Sequence, residues 1–196
     1  MLFLLALAVC TVAPTIAPLD SPALKVETRR IAPVFTLADL AGKKRSLSQY
    51  RGRPVALFFF CGCSWCTECA EEWGPLQRGG ALPAAPAPAK PPITLVVYSG
   101  DNTALRYSAA RWGLDKDKTV LLPDPGMRVT KVYKADPCPR VFILDGEGVV
   151  RYTNDHKDDR PREAPALVIV SRTIDALRSA AAAGRPSGKG KARAKT

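Results

Sequence analysis

The chain has 196 residues, of which 46% are hydrophobic and 24% are charged. This length and composition suit one globular domain with tails, and they exclude two ordinary domains, a collagen and a disordered chain. The net charge of +11 lies mainly at the ends, because residues 1–53 and residues 184–196 each carry a surplus of five basic residues. The body between them is nearly neutral, so we expect no nucleic-acid partner.

The chain opens with an apolar segment. Residues 2–9 are too few to span a bilayer, but they have the length of the hydrophobic part of a secretory signal. We therefore expect residues 1–19 to be a signal or anchor segment of an exported, periplasmic or membrane-associated protein; without a signal the protein would be cytoplasmic. Residues 7–9 and Cys10 nearly match the acylation motif of bacterial lipoproteins, but Val9 is the wrong residue type for the position just before the cysteine. We favour a cysteine within a removed signal over a lipid anchor that holds the protein near a membrane.

Two other segments are predicted to lie outside the packed core. Residues 79–92 contain five prolines and predict a stiff, extended Pro/Ala-rich loop. Residues 184–196 contain no large apolar side chain and predict a disordered basic tail. The folded domain is expected over residues 30–183.

The predicted elements alternate between strands and helices. Apolar runs and turn residues predict strands at residues 34–37, 45–47, 54–60, 93–98, 119–122, 140–144 and 149–152. Helices are predicted at residues 67–77, 103–112, 127–133 and 164–183. The first two strands form an N-terminal β-hairpin, and Asp145-Gly146-Glu147-Gly148 joins the last two. We expect an α/β fold with a central mixed sheet and helices on both faces.

Four cysteines fall within nine residues directly after the strand at 54–60: Cys61, Cys63, Cys66 and Cys69. A cysteine where a strand turns into a helix lies at the positive end of the helix dipole, near free backbone N–H groups, which favours the thiolate. A second cysteine three residues further on lies about one helical turn away, close enough to form a disulfide after the first has attacked a partner. The pattern therefore predicts thiol–disulfide chemistry.

Three stretches together resemble the thioredoxin-fold redoxin superfamily, which includes TlpA-like thiol–disulfide oxidoreductases and the alkyl hydroperoxide reductase and thiol-specific antioxidant proteins. They are residues 32–37 with Gly42 and Leu47, the strand that ends in Cys-x-x-Cys, and residues 138–148. The resemblance implies a thioredoxin-like fold and exchange of disulfides with a protein disulfide or dithiol, without a cofactor. It also implies that Pro139 is a cis-proline whose loop faces the catalytic disulfide.

Two registers compete for the catalytic pair. Counting without gaps from the strand, as in thioredoxins, gives Cys63 as the nucleophile and Cys66 as the resolving cysteine. Matching the tryptophan that often precedes the family motif to Trp65 gives Cys66 and Cys69 instead. We favour the first register because the second needs an insertion at the strand end. Cys61 and Cys69 are then expected to be structural thiols, although either is able to capture a second disulfide.

This chain lacks one feature of thioredoxins, which carry a buried carboxylate six residues before the nucleophile. For Cys63 that position is Leu57. Either another acid, such as Glu68 or Glu71, takes its place, or the cysteine pair is tuned differently.

The signature of the peroxidase branch is also absent. The pattern Pro-x-x-x-Thr/Ser-x-x-Cys would need Pro and Thr or Ser where this chain has Ala56 and Phe60 before Cys63. A peroxiredoxin-like peroxidase is therefore the alternative function rather than the favoured one.

A metal-binding module for copper or zinc on the same fold is the other alternative. Cys138 precedes Pro139 and is expected to lie opposite the active sulfurs, as a small buried side chain, a third redox sulfur, or a ligand with Cys63 and Cys66 for a soft metal. The clustered cysteines 61, 63, 66 and 69 are a second candidate ligand set. The chain's one histidine, His156, lies in a polar segment and is expected at the surface. We therefore predict no metal in the favoured function.

Overall fold

The computed structural model describes residues 30–78, 90–154 and 167–183. The predicted signal segment with Cys10, most of the Pro/Ala-rich loop, His156 and the basic tail lie outside these ranges. Within the described ranges, every helix is too short or too polar to cross a membrane.

A small antiparallel hairpin precedes the main sheet. It pairs β1 (Thr36–Ala38) with β2 (Lys44–Ser46), and a 3-10 turn at Leu47–Tyr50 follows. The main sheet contains five strands: β3 (Val55–Phe60), β4 (Ile93–Tyr98), β5 (Thr119–Pro123), β6 (Arg140–Leu144) and β7 (Val150–Thr153). Their order is β5-β4-β3-β6-β7; the first three are parallel and the last two join antiparallel. The described helices are α1 (Ser64–Arg78), α2 (Asn102–Ala109), α3 (Arg128–Val132) and α4 (Leu167–Ala183).

Strand β3 lies at the centre of the sheet and separates two apolar cores. Since side chains alternate along a strand, Ala56, Phe58 and Phe60 pack on the face that carries α1, α2 and α4. The intervening side chains, Leu57 among them, pack on the face that carries α3 and the N-terminal hairpin. Every residue of β3 is buried, which is the reason for its unbroken apolar sequence. The predicted thioredoxin-like α/β fold, with helices on both faces and an N-terminal hairpin, is confirmed.

Helix α1 is fixed to the sheet at its second half. The indole Nε1 of Trp73 donates to Thr94 Oγ1 at 3.0 Å, and Gln77 Nε2 donates to the same oxygen at 2.7 Å. Gly74 lies so close to the loop after α2 that an added Cβ would be 2.7 Å from the carbonyl oxygen of Gly113. These contacts hold the second half of α1 against the sheet. The cysteines lie at the other end of the same helix, next to the end of β3.

The predicted start of α1 at residue 67 is wrong by one turn, since the helix begins at Ser64. The amides of Cys66 and Thr67 both donate to the carbonyl oxygen of Cys63, at 3.1 and 3.2 Å, so the first turn closes within the cysteine motif. At the hairpin, the strand predicted from residue 34 begins at Thr36, because only three residue pairs join the two strands. The helix predicted to residue 112 ends at Ala109.

Candidate active site

Four sulfur atoms converge at the end of β3. The Sγ atoms of Cys61, Cys63, Cys66 and Cys138, the sulfur cluster, all lie within 4.8 Å of one another. The Sγ–Sγ distances are 3.5 Å between Cys63 and Cys66, 3.8 Å between Cys63 and Cys138, and 2.6 Å between Cys138 and Cys61. All four are free thiols.

The bend that brings Cys61 and Cys63 to the same site depends on the glycine between them. Gly62 has φ +87°, a left-handed conformation that favours glycine. A Cβ atom there would lie 2.7 Å from Tyr98 Oη and 3.1 Å from Ser108 Oγ. The chain therefore leaves β3, turns at Gly62 and enters α1 within three residues.

The fourth sulfur arrives from the neighbouring strand. Because β6 runs antiparallel to β3, the start of β6 meets the end of β3, and Arg140 pairs with Phe59. Cys138 lies two residues before β6 and so reaches the cysteines that follow β3. The Cys138–Pro139 peptide bond is cis, the geometry that the resemblance implied.

The side-chain amide of Asn154 holds the loop at Pro139, although no motif in the sequence pointed to this residue. Asn154 Nδ2 donates to the carbonyl oxygen of Pro139 at 3.0 Å, and Asn154 Oδ1 accepts from the amide of Val141 at 2.7 Å. No spacing in the sequence links residue 154 to residue 139, because their proximity comes from the pairing of β6 with β7.

The sulfur cluster is exposed on one side and buried on the other. Cys61 is exposed, Cys63 is half-buried, and Cys66 is fully buried, where its Sγ accepts from the amide of Cys61 at 3.4 Å. Cys69 lies one turn further into the core, is 2% exposed, and is not a member of the cluster. Burial, with a smaller contribution from Glu72, raises the pKa of the Cys69 thiol.

Hydrogen bonding shifts the pKa values of the thiols in the cluster in different directions. Hydrogen bonds from Cys138 and Cys66 lower the pKa of the Cys61 thiol. Contacts with Cys138 and Cys61 raise the pKa of Cys66, and contact with Cys61 raises that of Cys138. Two thiolates in contact would repel each other, so ionisation of one sulfur in the cluster opposes ionisation of its neighbours.

Cys61, which we expected to be a structural thiol that is able to capture a second disulfide, contacts Cys138 directly. The carboxylates proposed as substitutes for the missing buried acid, Glu68 and Glu71, are both exposed, and Leu57 points into the opposite core. Neither glutamate therefore reproduces a carboxylate buried beneath the nucleophile.

A groove of about 360 Å³ opens beside the sulfur cluster. Its walls come from the Gly62 bend, the first turn of α1 and the end of α2: Gly62, Ser64, Thr67, Glu68, Tyr107, Ser108 and Arg111. Tyr107 is 72% exposed and Trp65, on the same turn as Ser64, is 42% exposed. Both aromatic side chains are therefore exposed; Tyr107 lines the groove, and Trp65 lies two residues after the half-buried Cys63 in the chain.

Two kinds of relative are similar to this chain in sequence. The thiol-disulfide oxidoreductase ResA of Bacillus thuringiensis subsp. konkukian is 27% identical over 128 residues, which cover 64% of this chain and 68% of the relative. The chloroplastic peroxiredoxin Q of Triticum aestivum is 29% identical over 141 residues, which cover 65% of this chain and 58% of the relative.

Solved structures share the fold. A secreted Mycobacterium tuberculosis disulfide oxidoreductase homologous to Escherichia coli DsbE superposes with a TM-score of 0.57 at 17% identity, over 72% of this chain and 95% of that one. DsbF of the same bacterium gives a TM-score of 0.57 at 17% identity, over 73% and 94% of the two chains. At this identity the likeness establishes the thioredoxin-like fold.

The sequence profile of the AhpC/TSA family matches residues 28–153, from the hairpin through the sulfur cluster to the end of β7. Together with the relatives, this match confirms the predicted redoxin superfamily and the predicted class of enzyme, a thioredoxin-like thiol–disulfide oxidoreductase. The chain is a member of the AhpC/TSA family.

Proposed function

We propose that this protein exchanges disulfides with a protein partner through Cys63 and Cys66. The observation that carries the proposal is the 3.5 Å distance between the two Sγ atoms, with Cys63 half-buried and Cys66 fully buried. A partner sulfur can reach Cys63, while Cys66 is held one helical turn away to complete the reaction. The ResA relative, named a thiol-disulfide oxidoreductase, supports this activity.

The exchange has two balanced steps. The Cys63 thiolate attacks one sulfur of a partner disulfide, which forms a mixed disulfide and releases the other partner sulfur as a thiolate. The Cys66 thiolate then attacks Cys63 Sγ, which forms the Cys63–Cys66 disulfide and releases the second partner sulfur. Two electrons pass from the protein dithiol to the partner, and the reverse sequence oxidises a partner dithiol.

The second register, Cys66 with Cys69, has less support. Cys66 is 0% exposed and Cys69 is 2% exposed, so neither sulfur is accessible to a partner disulfide. In that register Cys66 would be the nucleophile, and a nucleophile must be reached by the partner disulfide before it can attack.

Two surface features support a protein partner at Cys63. The backbone at the cis-Pro139 loop lies beside the cluster and is fixed by Asn154, so it offers a rigid edge to an extended partner segment. The groove beside Gly62 is lined by the exposed ring of Tyr107, and the exposed ring of Trp65 lies two residues after Cys63 in the chain, so both rings offer aromatic contact area to a partner.

We also propose that residues 1–19 direct export of the protein. The apolar segment at residues 2–9 has the length of a signal core, and one structural neighbour with the same fold is a secreted disulfide oxidoreductase. An oxidising compartment would supply disulfide partners. Fractionation of cells that express the full chain tests this proposal, which fails if the protein stays in the cytoplasm.

The activity is tested by reduction of insulin disulfides with the wild type and three variants. Cys63→Ser should lose at least roughly a hundredfold of the rate, because it removes the attacking sulfur. Cys66→Ser should lose less of the rate, because Cys138 Sγ lies 3.8 Å from Cys63 Sγ and can replace Cys66 as the resolving sulfur. Cys69→Ser should keep the wild-type rate and is the matched control in the same helix. Full activity in Cys63→Ser would overturn the favoured register, and loss of activity only in Cys66→Ser and Cys69→Ser would support the second one.

Peroxide consumption by the same variants separates exchange from peroxidase activity. We expect slow consumption, since Ala56 and Phe60 stand where the peroxidase signature has Pro and Thr or Ser. Peroxide reduction faster than insulin reduction would assign the protein to the activity named in its peroxiredoxin Q relatives.

A further inference from the structure

The exchange reaction uses two of the four clustered sulfurs and leaves the other two without a role. Cys61 and Cys138 come from different strand ends, yet their Sγ atoms are 2.6 Å apart and lie within 4.8 Å of both exchange sulfurs. A cysteine pair that only exchanges disulfides does not need two further thiols beside it. Four converging sulfurs are, however, the complete ligand set of a structural zinc site.

The distances suit a single small ion. A zinc–sulfur bond of about 2.3 Å places tetrahedral ligands about 3.8 Å from one another. The Sγ–Sγ distances of 3.5 Å between Cys63 and Cys66 and 3.8 Å between Cys63 and Cys138 match that edge. The short contact between Cys61 and Cys138 must open by roughly 1 Å to admit the ion. Cys61 is exposed at the bend after β3, so it is the ligand best able to move.

Charge and coordination number favour zinc over other soft metals. Thiolates select Zn(II), Cu(I) or iron–sulfur clusters. Four thiolates around Zn(II) carry a net charge of −2, whereas the same ligands around Cu(I) carry −3 in a partly buried site. In an iron–sulfur cluster the cysteines ligate different iron ions, whereas these sulfurs converge on one point.

We propose that the reduced protein binds one zinc ion through Cys61, Cys63, Cys66 and Cys138, and that this ion and the Cys63–Cys66 disulfide exclude each other. When a partner disulfide oxidises the loaded site, two electrons leave the Cys63 and Cys66 thiolates and the disulfide between them forms. The partner becomes a dithiol after it takes up two protons, and zinc is released as Zn²⁺. The bound ion would thus protect the reduced cluster until an oxidised partner arrives.

Cobalt and zinc titrations of the full chain test the site. The protein is reduced with a phosphine, stripped with a chelator, titrated with Co²⁺ and then with Zn²⁺. We expect one ion per chain and the visible absorption of tetrahedral cobalt with thiolate ligands, which Zn²⁺ removes. Cys69→Ser is the matched control and should bind like the wild type, because Cys69 is outside the cluster.

Cys61→Ser and Cys138→Ser decide the ligand set. Each should weaken zinc binding by about tenfold or more, since even residues that only support zinc ligands contribute about that much. Wild-type affinity in either variant would overturn the proposal, as would a reduced wild-type protein that binds no zinc. Retained insulin reduction in Cys61→Ser with weakened zinc binding would support the metal site separately from the exchange function.

Alkylation of the wild type gives a measurement that needs no variant. Zinc should slow the labelling of Cys61 and Cys63, the two accessible ligands, as mapped by mass spectrometry of peptides. Equal labelling of Cys61 with and without zinc would overturn its place in the site, even if another ligand set binds the ion.

Discussion

The Sγ atom of Cys138 lies 3.8 Å from the Sγ atom of Cys63, nearly as close as the 3.5 Å that separates Cys63 from Cys66. In the exchange that we propose, the attacking sulfur of Cys63 therefore has two neighbours within 4 Å that are able to displace the partner from it. One of them is in the same helix, and the other reaches it from the start of β6. This arrangement determines what removal of the resolving cysteine will do.

Cys66→Ser should form a Cys63–Cys138 disulfide instead of accumulating a stable mixed disulfide with its partner. The Cys138 thiolate is in contact with Cys63 and can attack it, which releases the partner sulfur as a thiolate. Peptide mapping under non-reducing conditions would detect the new cross-link. The double variant Cys66→Ser/Cys138→Ser should retain the partner, and a stable mixed disulfide in the single variant would contradict the prediction.

Gly62→Ala should destabilise the protein by more than the cost of its backbone conformation alone. A non-glycine residue in the left-handed region costs about 1–2 kcal/mol, and the added methyl group would also lie 2.7 Å from Tyr98 Oη. Urea unfolding under reducing conditions measures the loss in the free energy of unfolding.

Gly42→Ala is the matched control for that substitution. Gly42 has φ +80°, close to the +87° of Gly62, but a Cβ atom there would have no neighbour within 4 Å. The difference between the two variants isolates the contact with Tyr98. Equal losses would show that the space around Gly62 does not constrain the bend between Cys61 and Cys63.

Asn154→Ala should slow insulin reduction by roughly tenfold, which corresponds to about 1.4 kcal/mol of lost positioning. The substitution removes the hydrogen bonds that Asn154 makes with the Pro139 carbonyl and the Val141 amide, so the loop beside Cys63 loses this support. We therefore predict that Asn154 is a positioning residue, which acts on the reaction through that loop.

Asn154→Asp separates positioning from a general loss of structure. The carboxylate still accepts from Val141 but no longer donates to Pro139, so the rate should fall between those of the wild type and Asn154→Ala. Rates are compared with free energies of unfolding for all three proteins. A rate unchanged in both variants, at any stability, would contradict the role of Asn154.

Asp39→Asn should destabilise the N-terminal hairpin in a manner that depends on pH. Burial alone would raise the pKa of Asp39, but hydrogen bonds from the Arg45 guanidinium, the Lys43 amide and the Ala41 amide outweigh it and lower the pKa. A carboxylate with a lowered pKa stabilises the fold above its ordinary pKa of about 3.9. That stabilisation is lost as the pH falls below this value and through the lowered pKa.

Unfolding of the wild type and Asp39→Asn between pH 2 and 7 measures this contribution. We expect a difference of about 1–3 kcal/mol near neutral pH, the usual cost of lost hydrogen bonds to a charged group. The difference should shrink as the pH falls below about 4, because the wild-type carboxylate becomes protonated. A difference independent of pH would show that the Asp39 charge does not contribute.

The local sequence determined the elements and the class of chemistry. The unbroken apolar run of β3 and the mostly apolar run of β4 identified these segments as strands buried on both faces, because a strand covered on both faces has no solvent-facing side that favours polar residues. The spacing of Cys63 and Cys66 indicated a sulfur pair one helical turn apart, because that distance is set by helix geometry within four residues. Residues 138–148, with the cysteines, carried the resemblance to the family.

Tertiary structure decided which cysteines form the cluster, although the family resemblance already led us to expect Cys138 opposite the active sulfurs. Cys61 joins the cluster through the left-handed bend at Gly62, and Cys138 joins through the antiparallel pairing of β6 with β3, across 77 residues of chain. Cys69, which has the same three-residue spacing as the exchange pair, turns into the core instead. Sequence spacing fixes distances within one helix, whereas contacts between strand ends depend on sheet order and register, which are properties of the whole fold.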